Sequence, residues 1–218
     1  MAIQYVLFDL DGTLTDPALG ITNCVIYALE KFGFYPETRE ELYPYIGPPL
    51  VDSFRRFHGL SDVDAERAVA YYRERFSVEG WRENQVYDGI HYLLSVLRGK
   101  GVALILATSK PEVFARRILE HFDLMRYFTF VAGSTLDGQR PEKGDVIAYV
   151  RENYPEISRE NTWMVGDRCY DVIGAHQQGL PCVGVLFGYG NRQEMETAGA
   201  DFIVDSVDEL RKILLAAV

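Results

Sequence analysis

Tyr5-Val6-Leu7-Phe8-Asp9-Leu10-Asp11-Gly12-Thr13-Leu14-Thr15-Asp16 is an apolar run that ends in two carboxylates and a Gly-Thr turn. Its apolar part reads as a buried strand. Side chains alternate sides along a strand, so Asp9 and Asp11 leave it on the same side, close enough to share one cation or one substrate. Each acid alone also reads as a turn former at a strand end. The pair, set ahead of Gly12-Thr13, points to chemistry instead.

Residues 17 to 84 change from strand-like runs to helical spacing. Ile21, Val25, Ala28/Leu29 and Phe32 form one stripe, and Ala65, Val69, Tyr72 and Phe76 form another, each at the spacing of an amphipathic helix. Between them, Tyr45-Ile46-Gly47-Pro48-Pro49-Leu50 excludes a continuous helix and predicts an exposed loop. From residue 85 onward, short apolar runs at 102–107, 128–132, 162–165, 182–186 and 202–204 alternate with helical stretches at 90–97, 111–120, 144–153, 171–179 and 207–215. That alternation predicts an α/β fold with a parallel sheet covered on both faces. Pro111 suits a first helical turn and Gly179 a helix end.

The chain has 218 residues, 48% of them hydrophobic, enough for one large domain or for a core domain with a smaller appendage. With 22 Lys+Arg against 32 Asp+Glu the net charge is −10, which argues against nucleic acid or an anionic membrane as partner. No targeting segment or membrane-length apolar run is read, so a cytoplasmic protein is expected. Cys24, Cys169 and Cys182 show no CxxC pair and read as small buried side chains in a reduced compartment. His58, His91, His121 and His176 lack metal-ligand spacing and read as surface residues. The scattered Tyr and Phe residues suit a core rather than a stacking platform.

Ligands of wound α/β sheets bind beyond the carboxyl ends of the strands. Three of those ends carry polar residues: Asp9-Leu10-Asp11, Thr108-Ser109-Lys110, and Gly166-Asp167-Arg168-Cys169-Tyr170-Asp171, with Lys143 opening the helix before the third. This ordered set resembles the haloacid dehalogenase (HAD) superfamily of phosphatases, and most closely its phosphoglycolate phosphatase-like branch. The motifs span Asp9 to Asp171, and the α/β pattern runs on to the C-terminus.

The resemblance implies a Rossmann-like core of residues 1–15 and 85–218, with a helical cap, residues 16–84, inserted after the first motif and hinged near 15–17 and 82–87. It implies that Asp9 is the nucleophile, forming an aspartyl-phosphate, and that Asp11 is the general acid and then the general base. A phosphoryl group entering a pocket that holds Asp9, Asp11 and Asp167 needs a divalent cation, and hard oxygen ligands favour Mg²⁺. Asp9 and Asp167 would be its side-chain ligands and the Asp11 carbonyl a third. Asp171 would hold a metal-bound water or Lys143. Asp at Gly166-Asp167 also reads as a helix cap.

Thr108 and the Ser109 amide would bind phosphate oxygens, although a hydroxyl before Pro111 also suits a simple turn. Lys143 would neutralise the phosphoryl group and Asp9, with Arg140 as the alternative phosphate ligand or a substrate contact. Gly12 and Thr13 of the first motif and Gly47 of the cap loop complete the expected substrate contacts. Arg55 and Arg56 read as a solvated helix face. The implied substrate is a small phosphorylated metabolite, phosphoglycolate-like, a nucleoside monophosphate or related, handled by a monomer or homodimer. Two alternatives remain: a sugar-phosphate mutase of the phosphoglucomutase branch, and a non-catalytic module that binds phosphometabolites.

Overall fold

The computed structural model describes residues 2–137 and 139–218. The opening run forms strand β1, Tyr5–Phe8, whose Val6, Leu7 and Phe8 are fully buried. It is central, pairing in parallel with β4, Ala103–Pro111, on one side and β6, Thr162–Gly166, on the other. With β5 (Phe128–Ser134), β7 (Cys182–Val185) and β8 (Phe202–Val204), the six-stranded parallel sheet has the order β5-β4-β1-β6-β7-β8. The chain winds outward from β1 in one direction and then returns to wind in the other. The order therefore reverses at β1, and a crevice opens beyond its carboxyl end.

The alternation along β1 sorts the two layers of helices. Val6 and Phe8 join the apolar cluster with α4 (Ile90–Gly99), α5 (Glu112–His121) and α9 (Val207–Ala217). Leu7 joins the cluster on the opposite face with α6 (Lys143–Asn153), α7 (Cys169–Gln177) and α8 (Arg192–Ala198). Between β1 and β4 the chain leaves through β2, Thr15–Asp16, and returns through β3, Gln85–Val86, which pair antiparallel side by side. The excursion between them contains α1 (Ala18–Glu30), a 3₁₀ turn at Glu40–Tyr45, α2 (Leu50–His58), α3 (Asp62–Arg75) and a π-helical turn at Phe76–Gly80. Among the described residues, no helix is long and apolar enough to cross a membrane.

Several local expectations are corrected. Pro111 does not begin a helix: a register shift after Thr108 carries β4 on until Pro111 pairs with Ser134, with extended backbone (φ −53°, ψ 128°). The helix expected at 171–179 begins at Cys169, and the Asp171 carboxylate accepts the Arg168 N–H at 3.1 Å from its first turn. α8 was not foreseen from apolar spacing, although Asn191, which accepts the Glu194 N–H, caps it as Asn commonly does. The loop at 45–50 is not wholly exposed, because Tyr45 and Ile46 are buried. Cys24 and Cys182 are buried and Cys169 only partly so. His58 is half-buried, its Nδ1 2.7 Å from the Tyr45 hydroxyl.

Backbone segments meet closely where α1 crosses the π-helical turn. A Cβ on Gly20 would lie 2.1 Å from the Gly80 carbonyl oxygen, a main-chain atom, whereas one on Gly99 would meet nothing within 4 Å. Gly20→Ala is therefore expected to lower stability by about 1–3 kcal/mol despite its better helix propensity. Gly99→Ala should be neutral or slightly stabilising. Urea unfolding monitored by circular dichroism checks both.

Candidate active site

The crevice beyond β1 collects residues that lie far apart in the chain. Asp9 continues β1 by donating its backbone N–H to the Val165 carbonyl at 2.9 Å, so its carboxylate starts beside the end of β6. Gly12, with φ +80°, then turns the chain. A Cβ there would lie 2.1 Å from Asp167 Oδ2, so both the conformation and the close approach demand glycine. Asp167 and Asp171 follow β6, and Lys143 is the first residue of α6.

Lys143 sits at the centre. Its Nζ lies 2.8 Å from Asp9 Oδ1 and 2.8 Å from Asp171 Oδ1, an ion pair to each, and donates to the Ala107 carbonyl oxygen at 2.8 Å. Asp9, Asp167 and Asp171 each offer a carboxylate oxygen within 4.8 Å of the others, and all three are buried. Three carboxylates against one ammonium leave negative charge uncompensated. Burial, and then the charges of Asp171 and Asp9, push the Asp167 carboxyl well above the ordinary carboxylate range, against the Tyr189 N–H donated to it at 2.8 Å. Burial also raises Asp171, with Lys143 opposing. Burial alone would lower Lys143, but Asp171 and Asp9 outweigh it and hold the ammonium above its usual value. A buried set of hard oxygen donors with excess negative charge fits a divalent cation.

A second pair stands beside the first. Asp11 Oδ2 is 2.5 Å from Lys110 Nζ, while Asp11 Oδ1, like Asp9 Oδ1 and Asp171 Oδ1, is buried without a well-formed hydrogen bond among the described residues. Burial raises the Asp11 carboxyl, and Lys110 works against that. Asp9, Asp11, Thr108, Ser109 and Lys110 line a cavity of about 220 Å³. Ile21, Tyr45, Val69, Tyr72, Phe76 and Phe114 form much of its remaining wall, with Arg73 as a further cation. The two helical stripes are buried except for half-buried Phe32, and Ile21, Val69, Tyr72 and Phe76 of them also face this space.

The remaining expected residues divide. Thr108 Oγ1 accepts the Lys110 N–H at 3.2 Å, so the turn role is realised, and its own hydroxyl hydrogen stays free at the cavity wall. Gly47 lines the cavity. Thr13 does not: it is fully buried and donates its hydroxyl to Asp167 Oδ1 at 3.3 Å. Gly12 is likewise packed against Asp167 rather than in the cavity lining. Arg140 is also turned away, because its Nε donates to the Gly133 carbonyl at 3.1 Å and its guanidinium covers the Tyr149 ring at 4.0 Å. Lys143, not Arg140, is the cation on the carboxylates.

Two contributions escaped the sequence reading. Lys110 was visible at a strand end, but no spacing rule pairs it with Asp11. The segment after β7 brings Gly188 so close that a Cβ would lie 2.2 Å from the Gly12 carbonyl oxygen, and the adjacent Tyr189 N–H caps Asp167. The Gly188-Tyr189-Gly190 spacing was the available signal.

A six-stranded parallel doubly wound sheet with buried carboxylates at its switch point defines an α/β protein whose ligand site is acidic and fits a divalent cation. The chain belongs to the haloacid dehalogenase-like hydrolase family, whose model matches residues 6–185, and is a phosphatase of that family. It is 42% identical to a 5'-nucleotidase of Pseudomonas aeruginosa over 98% of this chain and 97% of that one. It is also 41% identical to the tyrosine-protein kinase PtkA of Mycobacterium tuberculosis over 97% of this chain and 72% of that one. The crystal structure of "a predicted phosphatase from Clostridium acetobutylicum" superposes with a TM-score of 0.96 at 49% identity, over 99% of this chain and 100% of that one.

The crowding at Asp167 has a measurable sign. Between its unfolded and its raised folded pKa the folded chain binds more protons, so the stability of the metal-free protein falls as pH rises through that window. In EDTA at neutral pH, Asp167→Asn should raise the thermal midpoint, by roughly 2–4 °C for each kcal/mol of repulsion relieved. It should also flatten the pH dependence and reduce the stabilisation by added divalent cation expected of the wild type. Thermal denaturation across pH, with and without Mg²⁺, checks all three.

Proposed function

We propose that the protein is a Mg²⁺-dependent phosphomonoesterase that hydrolyses a small phosphorylated metabolite through an aspartyl-phosphate on Asp9. The observation that carries this reading is the juxtaposition of two carboxylates at one cavity, each on its own ammonium: Asp9 on Lys143 and Asp11 on Lys110. Asp9 forms a bond to phosphorus as the bond to the leaving oxygen breaks, and Asp11 gives that oxygen its proton. Asp11 then takes a proton from the water that releases phosphate from Asp9. Lys143 holds Asp9 in place and offsets charge on the transferred group, while the Thr108 hydroxyl and Ser109 meet its oxygens. Asp9 and Asp167, with the Asp11 carbonyl, would hold the cation and Asp171 would support it. The cation supplies charge neutralisation as the anionic phosphoryl group approaches the carboxylates.

Residues 16–84 act in this reading as a cap over a core of residues 1–15 and 85–218. Specificity then belongs to the cap side of the cavity. Its aromatic and aliphatic wall favours a leaving group with a planar, weakly polar body, and a nucleoside fits that description better than glycolate. The relative named 5'-nucleotidase supports the same choice. The name of the tyrosine kinase relative favours a second reading, in which the phosphoryl group passes to a tyrosine hydroxyl instead of water.

Phosphate release across a panel of nucleoside monophosphates, phosphoglycolate, sugar phosphates and phosphotyrosine separates these readings and the mutase alternative. Turnover is expected to be greatest with a nucleoside monophosphate, to vanish in EDTA and to return with Mg²⁺. Asp9→Asn should lower kcat by at least about a thousandfold in a folded protein; turnover near the wild-type level would end the nucleophile assignment. Lys143→Ala should cost about a hundredfold or more, and Arg140→Ala less than about tenfold. Steady-state kinetics on the two variants measure the contrast.

A further inference from the structure

Lys110 is held from three directions at the cavity wall. Its backbone N–H donates to Thr108 Oγ1 at 3.2 Å. Its ammonium lies 2.5 Å from Asp11 Oδ2, with the two side chains only 7% and 12% exposed, and 4.7 Å from the centroid of the Phe76 ring. Phe76 is itself fixed, stacked on Tyr72 at 5.4 Å and edge-on to Phe114 at 5.1 Å. The last torsion of an aspartate is soft and nearly two-fold, so an untethered carboxylate presents either oxygen. A buried ammonium on one oxygen removes that freedom, because an ion pair in a desolvated setting is strong and directional. The other oxygen, Oδ1, is buried and takes no hydrogen bond among the described residues, so Lys110 is the contact that sets the carboxylate's orientation.

We propose that Lys110 is a positioning residue for proton transfer: it clamps Oδ2 of Asp11, rests on the Phe76 ring, and thereby fixes the orientation from which the Asp11 carboxyl serves the leaving-group oxygen. The proton moves from the Asp11 carboxyl to that oxygen as the bond to phosphorus breaks, and Lys110 itself gives up no proton. Phe76 lies in the segment between β2 and β3, and Asp11 and Lys110 follow β1 and end β4. The clamp is thus completed by a residue from the cap side. A lysine suits the place, since a compact point charge fits between a carboxylate and a ring face.

The inference rests on the reading of Asp11 as general acid, and its test separates the two. The kcat/KM of wild type, Lys110→Met and Asp11→Asn is measured on p-nitrophenyl phosphate, whose leaving group needs little protonation, and on the best alkyl phosphate of the panel, whose leaving group needs a proton. Comparing the two substrates on one preparation cancels any loss of folded enzyme. Lys110→Met should lose at least about tenfold more on the alkyl phosphate than on p-nitrophenyl phosphate, part of the roughly 10²–10⁴-fold typical of general acid catalysis. Asp11→Asn should show the same bias more strongly. Equal losses on both substrates for Lys110→Met, with the bias intact in Asp11→Asn, overturn the clamp alone. No bias in Asp11→Asn overturns the general-acid reading and the clamp with it.

Discussion

One ammonium holds together segments of chain that would otherwise repel. Lys143 Nζ touches Asp9, Asp171 and the Ala107 carbonyl, so a single buried charge ties the ends of β1 and β4 to the first turn of α7. Without it, carboxylates would face one another in a place where water cannot screen them. The surrounding backbone is shaped to permit this crowding. Gly12 and Gly188 approach Asp167 and each other more closely than any side chain would allow. The central position of β1 follows from the same need: only a strand flanked on both sides by parallel partners places its carboxyl end within reach of two neighbours.

The charge balance explains why the pocket suits a cation and an anion together. Burial raises Asp167, Asp171 and Asp11, so the carboxylates gain from any positive charge brought among them. Two lysines share the work. Lys143 serves Asp9 and Asp171, and Lys110 serves Asp11. Separating the cations in this way gives two acids that lie two residues apart on one strand end different surroundings, which is how chemically identical side chains acquire different roles.

The side of the cavity facing away from the carboxylates is built on a different principle. Tyr45, Val69, Tyr72 and Phe76 belong to the excursion between β2 and β3, whereas Phe114 comes from α5 beside the sheet, in the same apolar cluster. Arg168 also crosses this junction, donating to the Ile46 carbonyl while its Nε pairs with Glu194 at 2.9 Å. Tyr189 does the same, its hydroxyl bonded to Asp16 and its ring edge-on to Tyr43 at 5.5 Å. Polar ties at the rim and apolar packing within enclose the cavity. Such enclosure strengthens every electrostatic interaction inside it.

Much of this was legible in the residues. Continuous apolar runs and the acids that end them determined the parallel α/β sheet and the gathering of Asp9, Asp11, Thr108, Lys143, Asp167 and Asp171, because strand periodicity and the switch-point rule act locally. Where side chains finally point was decided by packing. Arg140 and Lys143 are three residues apart, yet one turns to the Gly133 carbonyl and the Tyr149 ring while the other enters the carboxylates. Thr13 is spent on Asp167, and Lys110 is recruited to Asp11 from a strand about a hundred residues away. Pro111 stays in a strand because its pairing with Ser134 outweighs its preference for a first helical turn. Spacing along a chain specifies which backbone positions share a face. Only the three-dimensional competition among buried partners chooses which charge meets which.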